Sequence, residues 1–196
     1  PSTTPPVSPT PTVTPTPTPR TIVVKLYPTY VAYAVQNLST TIYGGATEVD
    51  VRSTTTGNPE TNQRTFLQFS TAGVPPTATV VSATLRLYMF GAPAATGNYD
   101  AHRATATWAE STITWANQPA VAASASATTA TGTTANVWLG WTVTSDTQGF
   151  VNGSLANYGW RLKDQVESSA TDRLARFYSK EQTGVTQDPQ LVVAYR

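Results

Sequence analysis

An antiparallel β-sandwich is predicted by three features of the chain: short runs of alternating apolar and polar residues, turn residues between those runs, and an excess of threonine. The 196 residues include 37 threonines, a β-branched type that favours strands and disfavours helices. No long stretch repeats at helical spacing, so helix is expected to stay under about a tenth of the chain. The length suits one large all-β domain or two small ones, and a hydrophobic content of 39% can fill a sizeable core.

Residues 1–20 hold eight Pro, seven Thr, two Ser, two Val and Arg20. The repeated Thr-Pro from Thr10 to Pro19 favours extended polyproline II, because each proline fixes φ and lacks an N–H. This segment reads as a stalk, with Thr3, Thr4, Thr10, Thr12, Thr14, Thr16 and Thr18 as candidate O-glycosylation sites. It also reads as an arm able to dock on a neighbouring copy. Residues 21–196 then form the sandwich.

Strands are expected over 21–27, 29–35, 47–52, 64–69 and 79–90. Others are expected over 99–105, 136–144, 157–163, 173–179 and 190–196. Breaks fall at Gly44-Gly45, Gly57-Asn58-Pro59, Pro75-Pro76, Gly91-Ala92-Pro93, Gly97-Asn98 and Asp188-Pro189. Residues 120–135 lack a pattern and read as a long connection. Residues 145–152 can form one helical turn with Ser145 as N-cap. Alternation points Leu85, Leu87 and Met89 inward and Thr84, Arg86, Tyr88 and Phe90 outward. It likewise turns Val137, Leu139, Trp141 and Val143 inward, with Trp138 outward, and turns Tyr158, Trp160 and Leu162 inward against Arg161 and Lys163.

Several function classes are excluded by composition. A net charge of +1, with nine Arg and three Lys scattered along the chain, gives no basic tract for nucleic acid. Without cysteine there is neither a disulfide framework nor a thiolate metal site. No run approaches the roughly 18 apolar residues of a membrane span. A start at Pro1 rather than Met suggests a secreted product whose signal has been removed.

The runs TATVVSATLRLYMF (77–90), AHRATATWAESTITWANQPA (101–120), NYGWRLK (157–163), ARFYSKE (175–181) and the closing LVVAYR resemble the DNRLRE domain family. That family is classed partly with carbohydrate-binding module family 96 and is similar to disaggregatase-related domains. The resemblance covers roughly residues 26–196 and implies an antiparallel sandwich of bacterial or archaeal surface proteins, extracellular, non-catalytic and sometimes glycan-binding. Members commonly carry an Asp near the second strand and another in a Phe-Asp-Val-Thr run. Here Pro28-Thr29 and Trp141-Thr142-Val143-Thr144 stand in those places, so roles of those carboxylates, calcium binding included, do not carry over. The resemblance also makes the stretch holding Trp108 and Trp115 structural, two large rings fixing an irregular connection.

Enzyme chemistry finds little support. A Ser-His-Asp triad would have to pass through His102, the one histidine, which reads as an ordinary strand residue. No His pair, phosphate loop or Gly-x-Ser-x-Gly elbow occurs. Asp50, Asp100 and Asp172 stand outside any oxygen-rich calcium loop, and no cofactor or metal is expected. The sequons at Asn37 and Asn152 read as chance triplets.

Sugar recognition uses exposed aromatic faces and cationic donors. The outward residues Arg86, Tyr88, Arg161, Lys163, Arg176 and Tyr178 supply both, and would form one basic, aromatic face if their strands adjoin. Two functions are therefore expected. The first is a structural subunit of an extracellular filament or layer, self-assembling head to tail through its arm. The second is a module binding acidic polysaccharide, displayed on a stalk.

Overall fold

The computed structural model describes Ser2, residues 20–55 and residues 61–196. Apart from Ser2 and Arg20, the expected stalk lies outside the described residues, and with it the expected polyproline II conformation and the candidate O-glycosylation threonines.

Among the described residues, eleven strands form one hydrogen-bonded, antiparallel sheet that curls into two layers over a shared core. In chain order they are β1 (Ile22–Leu26), β2 (Pro28–Val35), β3 (Glu48–Ser53), β4 (Gln63–Phe69), β5 (Val80–Gly91) and β6 (Asn98–Arg103). Then come β7 (Ala127–Ala130), β8 (Val137–Thr142), β9 (Trp160–Asp164), β10 (Arg173–Tyr178) and β11 (Gln190–Tyr195). The long strand β5 organises the first layer. Its N-terminal half pairs with β11, which carries β1, its end pairs with β10, which carries β3, and β8 also pairs with it. The second layer runs β2-β4-β9-β6-β7. A single pair, Arg52 with Gln63, joins β3 to β4 where the sheet turns from one layer to the other.

The helical expectation holds among the described residues: one 3-10 turn of 3 residues at Gln36–Leu38 and one helix of 8, α1 (Thr144–Val151). No helix among them is long and apolar enough to cross a membrane.

Alternation correctly assigns the faces of β5. Leu85, Leu87 and Met89 are fully buried, while Thr84, Arg86, Tyr88 and Phe90 are half-buried on the outer side. Trp141 reaches across the core from β8, and its indole N–H donates to the Tyr99 carbonyl on β6 at 2.8 Å. Trp160 fills the opposing layer and donates to the Asp146 carboxylate of α1 at 2.9 Å, which fixes the helix against the sheet. Buried indoles of this size need such acceptors, since an unpaired N–H in the core is costly.

Three local expectations are corrected. Ser145 is not the N-cap: the helix starts at Thr144, its N-cap position is Val143 and no side chain caps it. The Thr144 hydroxyl instead accepts the Ala83 N–H at 3.0 Å, tying the helix to β5. Residues 127–130, within the expected connection, form β7. Ala-Thr-Thr-Ala has no apolar alternation, and it becomes a strand by pairing with the edge of β6. Tyr158 does not share the core face of Trp160 and Leu162. Gly159, at φ +74°, turns the chain between them, and Tyr158 packs on the outer side of the second layer.

A second, smaller core lies on that outer side. Ala32, Ala34 and Phe66 are covered by Trp108 and Ile113 from the 104–120 connection. Trp108 donates to the Tyr158 carbonyl at 2.8 Å, and Asn117 accepts from both the backbone and the hydroxyl of Thr114 at 2.7 and 3.0 Å. The irregular connection thus satisfies its own polar groups while roofing one layer.

Candidate glycan-binding face

The 104–120 connection covers part of the second layer's outer side. The first layer's outer side carries a band of aromatic rings. Tyr88 on β5 lies opposite Trp138 on β8, and cross-strand partners project from the same face. Their ring centroids are 5.5 Å apart at 76°, an edge contact. Tyr178 on β10 stacks with Tyr88 at 5.8 Å and 3° and with Phe90 at 4.6 Å and 13°. Four half-buried rings therefore run in contact from β8 across β5 to β10.

Two guanidinium groups flank the rings. The Arg86 Cζ sits 4.7 Å from the Trp138 ring centroid, a cation–π contact that holds the charge over the aromatic band. Arg176 is exposed beside Tyr178, and β5 approaches it so closely that a Cβ on Gly91 would lie 3.2 Å from the Arg176 Cβ. Neither arginine forms an ion pair among the described residues, whereas Arg52, Arg64 and Arg173 are held by Asp172, Glu167 and Asp164. A shallow cleft of about 320 Å³ continues the face past Arg176, lined by Gly91, Ala92, Ala94, Asp172 and Leu174.

Acidic groups border this end. Asp50 pairs across the sheet with Arg176, and Glu48 with Tyr178. Burial, reinforced by Glu48 and opposed by Arg176 and Arg52, pushes the Asp50 carboxyl up to about 7. Its Oδ1 is buried without a hydrogen-bond partner. Tyr33, whose ring lies 4.4 Å from that of Tyr43, is pushed up to about 12 by burial and then by Asp50.

A larger depression of about 560 Å³ opens beside Tyr30 at the end of β2 and β4. Its amides are committed to the backbone: Gln68 donates to the Asn157 carbonyl and Asn157 to that of Phe69, each at 2.7 Å. The aromatic face, with two arginines that form no ion pair among the described residues, is the better-equipped surface for a ligand.

The structure brings four of the six expected residues together, Arg86, Tyr88, Arg176 and Tyr178. Arg161 and Lys163 lie on β9, in the other layer. The six do not form one face, because strand order, not alternation, decides which outward sets adjoin. Trp138, Phe90 and Asp50 join the first group. The alternation already turned Trp138 and Phe90 outward, but the neighbourhood of β8, β5 and β10 has no local signature.

His102 is 8% exposed, and its Nδ1 lies 3.0 Å from the Ala122 carbonyl. Of the three aspartates weighed for calcium, Asp100 accepts the Thr128 hydroxyl at 2.5 Å and Asp172 holds Arg52. Among the described residues no three His, Asp or Glu side chains converge as a metal site would require.

No curated protein matches the chain. Residues 23–195, from β1 to the end of β11, match the profile of carbohydrate-binding module family 96. The chain belongs to carbohydrate-binding module family 96.

Proposed function

We propose that the module is non-catalytic and extracellular and binds an acidic polysaccharide on the outer face of β8, β5 and β10. The carrying observation is a band of four touching aromatic rings flanked by two arginines that form no ion pair among the described residues. Sugar rings offer apolar C–H faces to such a band, and uronate or sulfate groups accept from guanidinium in a fixed geometry. An open face rather than a deep pocket suits a polymer, which must lie across it. Family membership supports this reading over the filament subunit, whose arm lies outside the described residues.

Affinity electrophoresis and calorimetry against a polyuronate, a sulfated polysaccharide and a neutral glucan test the proposal. The wild type is expected to bind an acidic polymer more tightly than the glucan, with affinity falling as salt rises. The double substitution Tyr88→Ala, Tyr178→Ala is expected to weaken binding at least about tenfold, equivalent to about 1.4 kcal/mol, without loss of the β-type circular dichroism spectrum. Equal affinity for the neutral polymer, or an unaffected double variant, would overturn it.

A further inference from the structure

The second layer holds an arginine whose one nearby carboxylate, Glu167, is already hydrogen-bonded to another arginine. Arg161 projects outward from β9 between Phe66 on β4 and His102 on β6, its direct cross-strand partners. Phe66 is fully buried and His102 nearly so, so the guanidinium leaves the sheet between an apolar and a polar wall. Its Nε is buried with no hydrogen-bond partner, and the group makes no hydrogen bond or ion pair among the described residues. Buried donors are normally paired, because desolvation without a replacement bond is costly.

The nearby acid is already engaged. Glu167 accepts Arg64 through both oxygens, at 2.7 and 2.6 Å, and lies 3.9 Å from the Lys163 ammonium. Burial and the like charge of Arg64, opposed by Glu167, lower the Arg161 pKa to about 10, leaving it cationic at neutral pH. Arg64 also stacks on Trp115, with its Cζ 4.3 Å from the ring centroid, so an aromatic surface adjoins the cations here too. Three cations share one carboxylate. The His102 Nε2 on the adjoining strand is a second buried polar atom without a hydrogen-bond partner, with the Asp100 carboxylate 3.8 Å away.

We infer that Arg161 anchors a second anion site, with Lys163 beside it, which takes a carboxylate or sulfate group of an acidic sugar on the layer opposite the aromatic band. The identity of the sugar rests on the proposed function; the demand for an anion rests on Arg161 itself. Two sites on opposite layers make one module bivalent, able to bridge two polysaccharide strands.

The test is calorimetric stoichiometry with an oligouronate of about six residues and with its sulfated counterpart. It uses the full chain, an Arg161→Gln variant and the Tyr88→Ala, Tyr178→Ala variant. Two equivalents bound by the wild type, and one by each variant, is the expected result. Arg161→Gln should melt no lower than the wild type, since it removes a buried donor that has no hydrogen-bond partner and that Arg64 repels. A single equivalent that is lost only in the tyrosine variant overturns the inference and leaves the aromatic band intact. A single equivalent lost only in Arg161→Gln sustains the inference and removes the aromatic-band reading. No heat with either ligand overturns both.

Discussion

Replacing Gly159 by alanine is expected to unfold the module or lower its melting temperature by about 10 °C. The residue sits at φ +74°, where an L side chain costs roughly 1–2 kcal/mol. An added Cβ would lie 1.9 Å from the Leu67 carbonyl oxygen and 2.7 Å from the Gln68 Cα, both backbone atoms of β4 that cannot swing aside. The Gly159 carbonyl also accepts the Ala104 N–H at 2.8 Å, so moving the turn breaks a link to β6. Together these should cost about 4 kcal/mol, which at this size corresponds to roughly 2–4 °C per kcal/mol. Thermal denaturation checks the expectation; a melting point within about 2 °C of the wild type would show that the close approach is not rigid. The consequence reaches beyond stability. Gly159 lets Tyr158 receive Trp108 on the outer side while Trp160, two residues after Tyr158, enters the core.

Asp50→Asn is expected to stabilise the protein in neutral and alkaline solution and to leave it unchanged in acid. The folded state holds this carboxyl near 7 against an ordinary value of 3.8, chiefly through burial, with Glu48 adding and Arg176 and Arg52 opposing. A raised carboxyl pKa means that the fold prefers the protonated form. Its contribution is fully present below 3.8 and is lost as pH rises through about 7. At about 1.4 kcal/mol per unit the loss reaches roughly 4 kcal/mol at most. Asparagine matches the protonated shape and cannot ionise. The variant should therefore exceed the wild type by several degrees at pH 8 and match it at pH 3. Parallel pH–stability curves would contradict the assignment. The same charge bears on binding. As Asp50 ionises opposite Arg176, affinity for an acidic polymer should fall through about pH 7, whereas Asp50→Asn should hold it.

The sandwich was legible because the core strands obey a local rule. Leu85, Leu87 and Met89 alternate with polar or amphipathic residues, and no other arrangement buries all three while sparing Arg86. Strand β7 escaped because Ala127–Ala130 gains its conformation from β6 rather than from its own side chains. Tyr158 misled because a period of two assumes extended backbone throughout, and Gly159 breaks it. The site was half legible. Outward arginines and tyrosines can be read strand by strand, but their grouping depends on sheet order, set by contacts distant in sequence. Arg161 follows the same alternation as Arg86, yet β9 belongs to the other layer. The raised Asp50 carboxyl was not legible, since it depends on how deeply the folded sheet buries that residue, with Glu48 adding and Arg176 and Arg52 opposing.

Backbone amide shifts recorded by heteronuclear NMR during titration with an acidic oligosaccharide test the central claim most directly. The aromatic face predicts the largest changes at residues 86–90 of β5, 137–140 of β8 and 175–178 of β10, together with the Trp138 indole. Changes confined to the Tyr30 depression or to the turns at the ends of the layers, with those three strands unmoved at saturation, would contradict it.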